Sequence, residues 1–83
     1  MKLLYFAWLR ERIGVGSEDV TPPEGVDTVS ALIDWLKTRE PRYEHAFAQT
    51  AAIRVAIDQK QSDFDASIVG AREVALFPPV TGG

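Results

Sequence analysis

The segment Glu73-Val74-Ala75-Leu76-Phe77, followed at once by Pro78-Pro79, most constrains how this chain can fold. The apolar run reads as a strand, with Val74 and Leu76 on one face and Ala75 and Phe77 on the other. Neither proline has a backbone N–H, so the hydrogen-bonded ladder must stop at Phe77. Pro78-Pro79 stiffens the exit, Val80 and Thr81 favour extended backbone, and Gly82-Gly83 are slim. The five residues from Pro79 to Gly83, at about 3.3 Å each, reach roughly 16 Å beyond the fold.

A second apolar run, Lys2 to Trp8, reads as a strand covered on both faces. Leu4, Phe6 and Trp8 would share one face, and Leu3, Tyr5 and Ala7 the other. Leu9 and Ile13 stand four apart, which predicts one amphipathic turn closed by Gly14. Gly14 to Ser17 reads as a loop, and Glu18 to Thr21 as a short strand that pairs back as a hairpin. Asp27 or Thr28 can cap a helix with Val29, Leu32, Ile33 and Leu36 along one stripe and Trp35 on its flank. Pro41 keeps Glu40 out of that helix. Tyr43 to Thr50 reads as a second helical piece with Tyr43, Ala46 and Phe47 inward. Ile53, Val55 and Ile57 alternate as a half-buried strand, Asp58-Gln59-Lys60 turns the chain, and Gln61 to Phe64 makes a short edge strand. The expected fold is α+β: a mixed sheet of about five strands, its first and last strands neighbouring and central, with one main helix across it.

The 83 residues suit one domain, placed at 1–78, with 79–83 as an extended tail. The chain has no cysteine, which excludes disulfides, thiolate metal sites and a cysteine nucleophile. One histidine, His45, excludes a multi-histidine metal site, so no metal is expected. The net charge is −3 and the Lys and Arg residues are scattered, so no nucleic-acid footprint is visible. Leu3 to Leu9 is too short to span a membrane, and with no small-residue cleavage site after it the N-terminus does not read as a signal peptide. These features lead us to expect a soluble cytoplasmic protein without membrane or nucleic-acid partners.

No cluster of side chains reads as a catalytic centre. His45 has no acidic or hydroxyl partner at helical spacing. Asp63 and Asp65 flank Phe64 and read as one solvated strand face; Glu18 and Asp19 read as loop or edge charges. Arg10-Glu11-Arg12 reads as a solvated turn near the hairpin loop, placed where it can orient a partner. Gly14-Val15-Gly16 lacks the length and the lysine of a phosphate loop. What remains is the carboxylate of Gly83. At about 7% glycine usage, two glycines at a terminus occur by chance roughly once in 200 chains.

Phe77-Pro78-Pro79-Val80-Thr81-Gly82-Gly83 resembles the terminal signature of the small subunit of molybdopterin synthase. Tyr5-Phe6-Ala7-Trp8-Leu9-Arg10-Glu11 resembles that family's first strand and the Arg-Glu turn after it. The resemblance extends over the whole chain in length and element order, and it implies a ubiquitin-like β-grasp fold. It implies a sulfur carrier for molybdenum cofactor synthesis that binds no cofactor itself. Gly83 would be adenylated with ATP on a separate E1-like activating enzyme, and a sulfur donor protein would replace AMP to leave a thiocarboxylate. The tail residues Pro79, Val80, Thr81 and Gly82 would enter the synthase large subunit, which supplies the catalytic side chains, within a heterotetramer. There, sulfur would pass to cyclic pyranopterin monophosphate. Phe77, Ala75, Phe6 and Arg10 would meet the partner, although Phe6 suits a core position equally well. Asp58 stands where the family often has asparagine, and both suit a turn. Other readings within reach are a carrier for thiamine synthesis or tRNA thiolation, and a ubiquitin-like interaction module whose tail is never activated.

Overall fold

The computed structural model describes residues 1–79. Nine elements follow one another: β1 (Lys2–Tyr5), α1 (Ala7–Ile13), β2 (Ser17–Asp19), α2 (Val29–Arg39), α3 (Pro41–Ala46), a 3-10 turn (Thr50–Ala52), β3 (Arg54–Ile57), β4 (Lys60–Ser62) and β5 (Glu73–Phe77). The strands form one mixed sheet in the order β2-β1-β5-β3-β4. β5 runs parallel to β1 and antiparallel to β3, so the first and last strands are neighbours, as their apolar character predicts. β5 ends at Phe77, where the prolines require it.

The register assigns every strand residue to a face. Leu3, Val74 and Ile57 lie in one row, and Tyr5, Leu76 and Val55 in the next. These rows join the core, together with the α2 stripe Val29, Leu32, Ile33 and Leu36. Thr28 caps α2 by accepting the Ala31 N–H at 3.1 Å, and Glu40 leaves the helix in extended backbone before Pro41. The second helical piece begins earlier than the sequence suggests, at Pro41, because proline is preorganised for the first turn of a helix. Tyr43, Ala46 and Phe47 point into the core as expected.

Three expectations are corrected. β1 ends at Tyr5 rather than at Trp8, because Ala7 and Trp8 belong to α1. Burying Leu9 and Ile13 together draws the chain into a helix one turn early, and the helix places Arg12 over the Trp8 ring at 4.6 Å. Nor is β1 covered on both faces: Leu3 and Tyr5 are buried, but Leu4 on the opposite face is only half-buried. Finally, β4 stops at Ser62, so Asp63 and Asp65 lie in a turn and share no strand face.

Asp58 and Gln59 both have positive φ, at 48° and 71°. They form the two-residue connection between paired Ile57 and Lys60, the geometry in which glycine is favoured at the second position. The Asp58 carboxylate accepts the backbone N–H groups of Arg72 at 2.9 Å and Glu73 at 3.0 Å, tying the turn to the start of β5. Gln59 brings no comparable bond, so relieving its left-handed backbone has no counterweight. Gln59→Gly is expected to stabilise the protein by about 1 kcal/mol, read by urea denaturation. A destabilised variant would contradict the strain assigned to Gln59.

Candidate functional site

The site is the place where β5 leaves the sheet. Tyr5 pairs with Leu76, so β5 extends one residue beyond β1, and Phe77 has a strand partner only in Arg54 of β3. On the β1 side the chain has already turned away, and the Phe6 N–H donates to the Leu76 carbonyl at 3.2 Å. Ala7, with φ 53°, makes that turn sharp. The result leaves Phe6 47% exposed beside the exit, which decides its two sequence readings in favour of surface over core. On the β3 side the Arg54 guanidinium donates to the carbonyls of Ala51 at 3.2 Å and Ile53 at 3.1 Å. Phe77, Pro78 and Pro79 are half-buried.

The sheet face away from the core carries a row that runs Ser17, Leu4, Ala75, Ala56, Gln61 across all five strands. Leu4 and Ala56 are half-buried. Ala75 is expected from sequence to contribute exposed surface, and here the structure corrects the reading: it is only 8% exposed. Its single methyl group lies between Leu4 and Ala56 in register, and neighbours on both sides screen it. The apolar surface at the exit is therefore Phe6 and Phe77 with Leu4 and Ala56, and Ala75 is its floor. Leu4 and Ala56 were missed from sequence because only strand register places them in this row. Arg10 is exposed one helical turn after Phe6, whose carbonyl accepts the Arg10 N–H at 3.5 Å. Val80, Thr81, Gly82 and Gly83 lie outside the described residues.

Behind the exit sits a polar network that the sequence reading also missed. Glu18 is not a free edge charge. The hydroxyls of Tyr5 and Tyr43 both donate to its Oε2, each at 2.7 Å. Arg42 donates to the Tyr43 hydroxyl at 3.1 Å and to the Ile13 carbonyl at 2.9 Å, where α1 ends. β1, β2, α1 and α3 are thus held by one carboxylate and one guanidinium, and α1 carries the exit-side residues. The inward direction of Glu18 follows from its pairing with Leu3 on the core-facing row.

Burial, reinforced by the bond to Glu18, raises the pKa of both tyrosines above the ordinary phenol value. Their folded-state pKa values lie above the unfolded ones, so their contribution to stability is complete below about pH 10. It falls as pH rises further, because the unfolded chain then loses phenolic protons that the fold retains. Stability should decline above pH 10, and Tyr5→Phe/Tyr43→Phe should flatten that decline in urea titrations. An equally steep decline in the double variant would exclude the tyrosines as its source.

His45 is exposed, and among the described residues no group of three or more His, Asp or Glu side chains is placed to hold a metal ion. Nor, among the described residues, is any helix long and apolar enough to cross a membrane.

Residues 3–83 match the ThiS family. The chain belongs to the ThiS family. It is 34% identical over 83 residues to the molybdopterin synthase sulfur carrier subunit of Escherichia coli (strain K12), covering 100% of this chain and 99% of that protein. It is 30% identical to the protein of the same name from Haemophilus influenzae, with the same coverage. In three dimensions it resembles the crystal structure of small archaeal modifier protein 1 from Haloferax volcanii, with a TM-score of 0.73 and 29% identity over 96% of this chain and 97% of that one. This ThiS-family chain has the ubiquitin-like β-grasp fold, with a five-stranded mixed sheet.

Proposed function

We propose that this chain is the sulfur carrier subunit of a molybdopterin synthase and that Gly83 carries the sulfur. The observation that carries the reading is the full-length match to two sulfur carrier subunits of that enzyme. The exit geometry supports it: the central strand stops at a proline pair, with Phe6 bonded to Leu76 on one side and Arg54 paired with Phe77 on the other.

In this reading the Gly83 carboxylate attacks the α-phosphorus of ATP on a separate activating enzyme and releases pyrophosphate. The acyl-adenylate is an activated acid. The terminal sulfur of a persulfide on a donor protein adds to its carbonyl carbon and expels AMP; a thiol then attacks the donor's sulfur in the resulting acyl disulfide, forming a disulfide with the donor and leaving a thiocarboxylate on Gly83. The carrier then docks on the large subunit through the apolar surface at the exit, and the tail takes its sulfur to cyclic pyranopterin monophosphate. Water hydrolyses the acyl–sulfur bond to the pterin, leaving the sulfur there, and Gly83 returns as a carboxylate. The carrier needs no cysteine of its own, and it has none. Its own side chains dock and orient, while those that promote sulfur transfer to the pterin belong to the large subunit.

The test is intact mass after incubation with the activating enzyme, ATP and the sulfur donor. Replacement of one oxygen by sulfur, mapped to Gly83, is expected; an unchanged mass refutes the proposal. A second reading, modification of other proteins through the same terminus, is favoured by the likeness to small archaeal modifier protein 1. It predicts covalent adducts of higher mass in place of the thiocarboxylate.

A further inference from the structure

Arg10 differs from the other arginines around the exit and its supporting network. Arg42 donates to Ile13, Glu40 and Tyr43, and Arg54 donates to Ala51 and Ile53. Arg12 lies over Trp8. The Arg10 guanidinium donates no hydrogen bond to any described residue, and among the described residues the one ion pair joins Arg42 to Glu40. Yet Arg10 is closely held from below. A Cβ added at Gly16 would stand 3.1 Å from Arg10 Nε, 3.2 Å from Cζ and 3.5 Å from Cδ. The end of the side chain therefore lies against the Gly16 position, close enough that any Cβ there would push it aside by a few tenths of an ångström.

The backbone around this contact is tied to the exit at every step. The Gly14 N–H donates to the Arg10 carbonyl at 2.8 Å, with Gly14 in the left-handed region at φ 97°. The Tyr5 N–H donates to the Gly16 carbonyl at 2.9 Å, and the Phe6 N–H donates to Leu76. Gly14 is thus explained by its backbone angle. Gly16 is not, because it does not lie in the left-handed region that favours glycine. What remains to explain Gly16 is the arginine lying over it.

We propose that Gly16 is a positioning residue: its missing side chain lets the end of Arg10 lie over the start of β2 and sets the guanidinium there for an acceptor oxygen on the partner that receives the tail. This rests on the docking surface proposed above and adds the residue that determines its polar edge. A free arginine loses side-chain entropy when it is captured, and one whose end already lies over the backbone loses less.

The experiment is calorimetric titration of the purified large subunit of a molybdopterin synthase with five full-length proteins: the parent chain, Gly16→Val, Gly16→Ala, Arg10→Ala and the Gly16→Val/Arg10→Ala double variant. Gly16→Ala is the milder companion, since its one methyl group displaces the arginine by only a few tenths of an ångström. Gly16→Val is expected to weaken binding about tenfold, the loss of one hydrogen bond to a charged group, with Gly16→Ala intermediate. Arg10→Ala should weaken it to a similar extent, and the double variant should bind no worse than Arg10→Ala alone. A general structural defect would instead add to the effect of Arg10→Ala. Additive losses, or full binding by Gly16→Val where Arg10→Ala is weakened, overturn the role of Gly16 and leave the docking surface standing. Full binding by Arg10→Ala overturns both the role of Arg10 and that of Gly16. Absence of binding by the parent chain overturns the proposed function itself.

Discussion

Removing Gly83, or adding one residue after it, is expected to abolish sulfur loading and leave the thermal midpoint unchanged. Among the described residues the last member of the core along the chain is Leu76, and the ladder ends at Phe77. Adenylation, in contrast, depends on where the terminal carboxylate stands. One residue more or less moves that carboxylate by about 3.3 Å, while attack requires the reacting atoms within about 3–3.5 Å of each other. An added side chain also thickens an end that two glycines keep slim. The measurement is intact mass after loading, with calorimetry on the same samples. An extended protein that gains sulfur without losing its extension would defeat the assignment of Gly83. A deletion that lowers the midpoint would show that the tail also serves the fold.

Glu18→Ala should cost about 3 kcal/mol, because it leaves two buried phenol hydroxyls without their acceptor at about 1–3 kcal/mol each. Tyr5 and Tyr43 are both essentially inaccessible with Glu18 in place. For a domain of this size, that cost lowers the midpoint by roughly 15 °C. Glu18→Gln keeps a carbonyl acceptor and should cost less. The combined Glu18→Leu/Tyr5→Phe/Tyr43→Phe protein should recover part of the loss, since all the polar partners leave together. Urea denaturation of the set decides the matter. A Glu18→Ala loss below about 1 kcal/mol would show that the hydroxyls find other partners.

The strand that leads into the exit was legible because its signals are local. The apolar run of Glu73 to Phe77 and the proline pair after it require no tertiary information, and β5 has the predicted bounds. The α2 stripe was legible for the same reason, being a 3.6-residue period with a capping threonine. The division between β1 and α1 was not legible. Leu3 to Leu9 is apolar throughout, and a short apolar run suits a strand or a helix until something decides which side chains must be buried together. Leu9 and Ile13 decide it, and Phe6 is left outside. Glu18 was misread because three residues of polar edge strand look alike in sequence, and the tyrosines that take its carboxylate are 13 and 25 positions away.

The sequence alone therefore determined where the sheet ends and which strands are central, and it left Gly83 as the position we propose to carry the sulfur. These depend on missing N–H groups, on runs of apolar residues and on residue types that are absent, all of which are properties of the chain itself. Only the tertiary structure decided that Phe6 is surface, that Ala75 is floor, that Glu18 is the acceptor for two buried phenols and that Arg10 lies on Gly16. Each of these depends on which residues meet across the register of the sheet or across a turn, and contacts between residues distant in sequence arise only once the core has set them side by side.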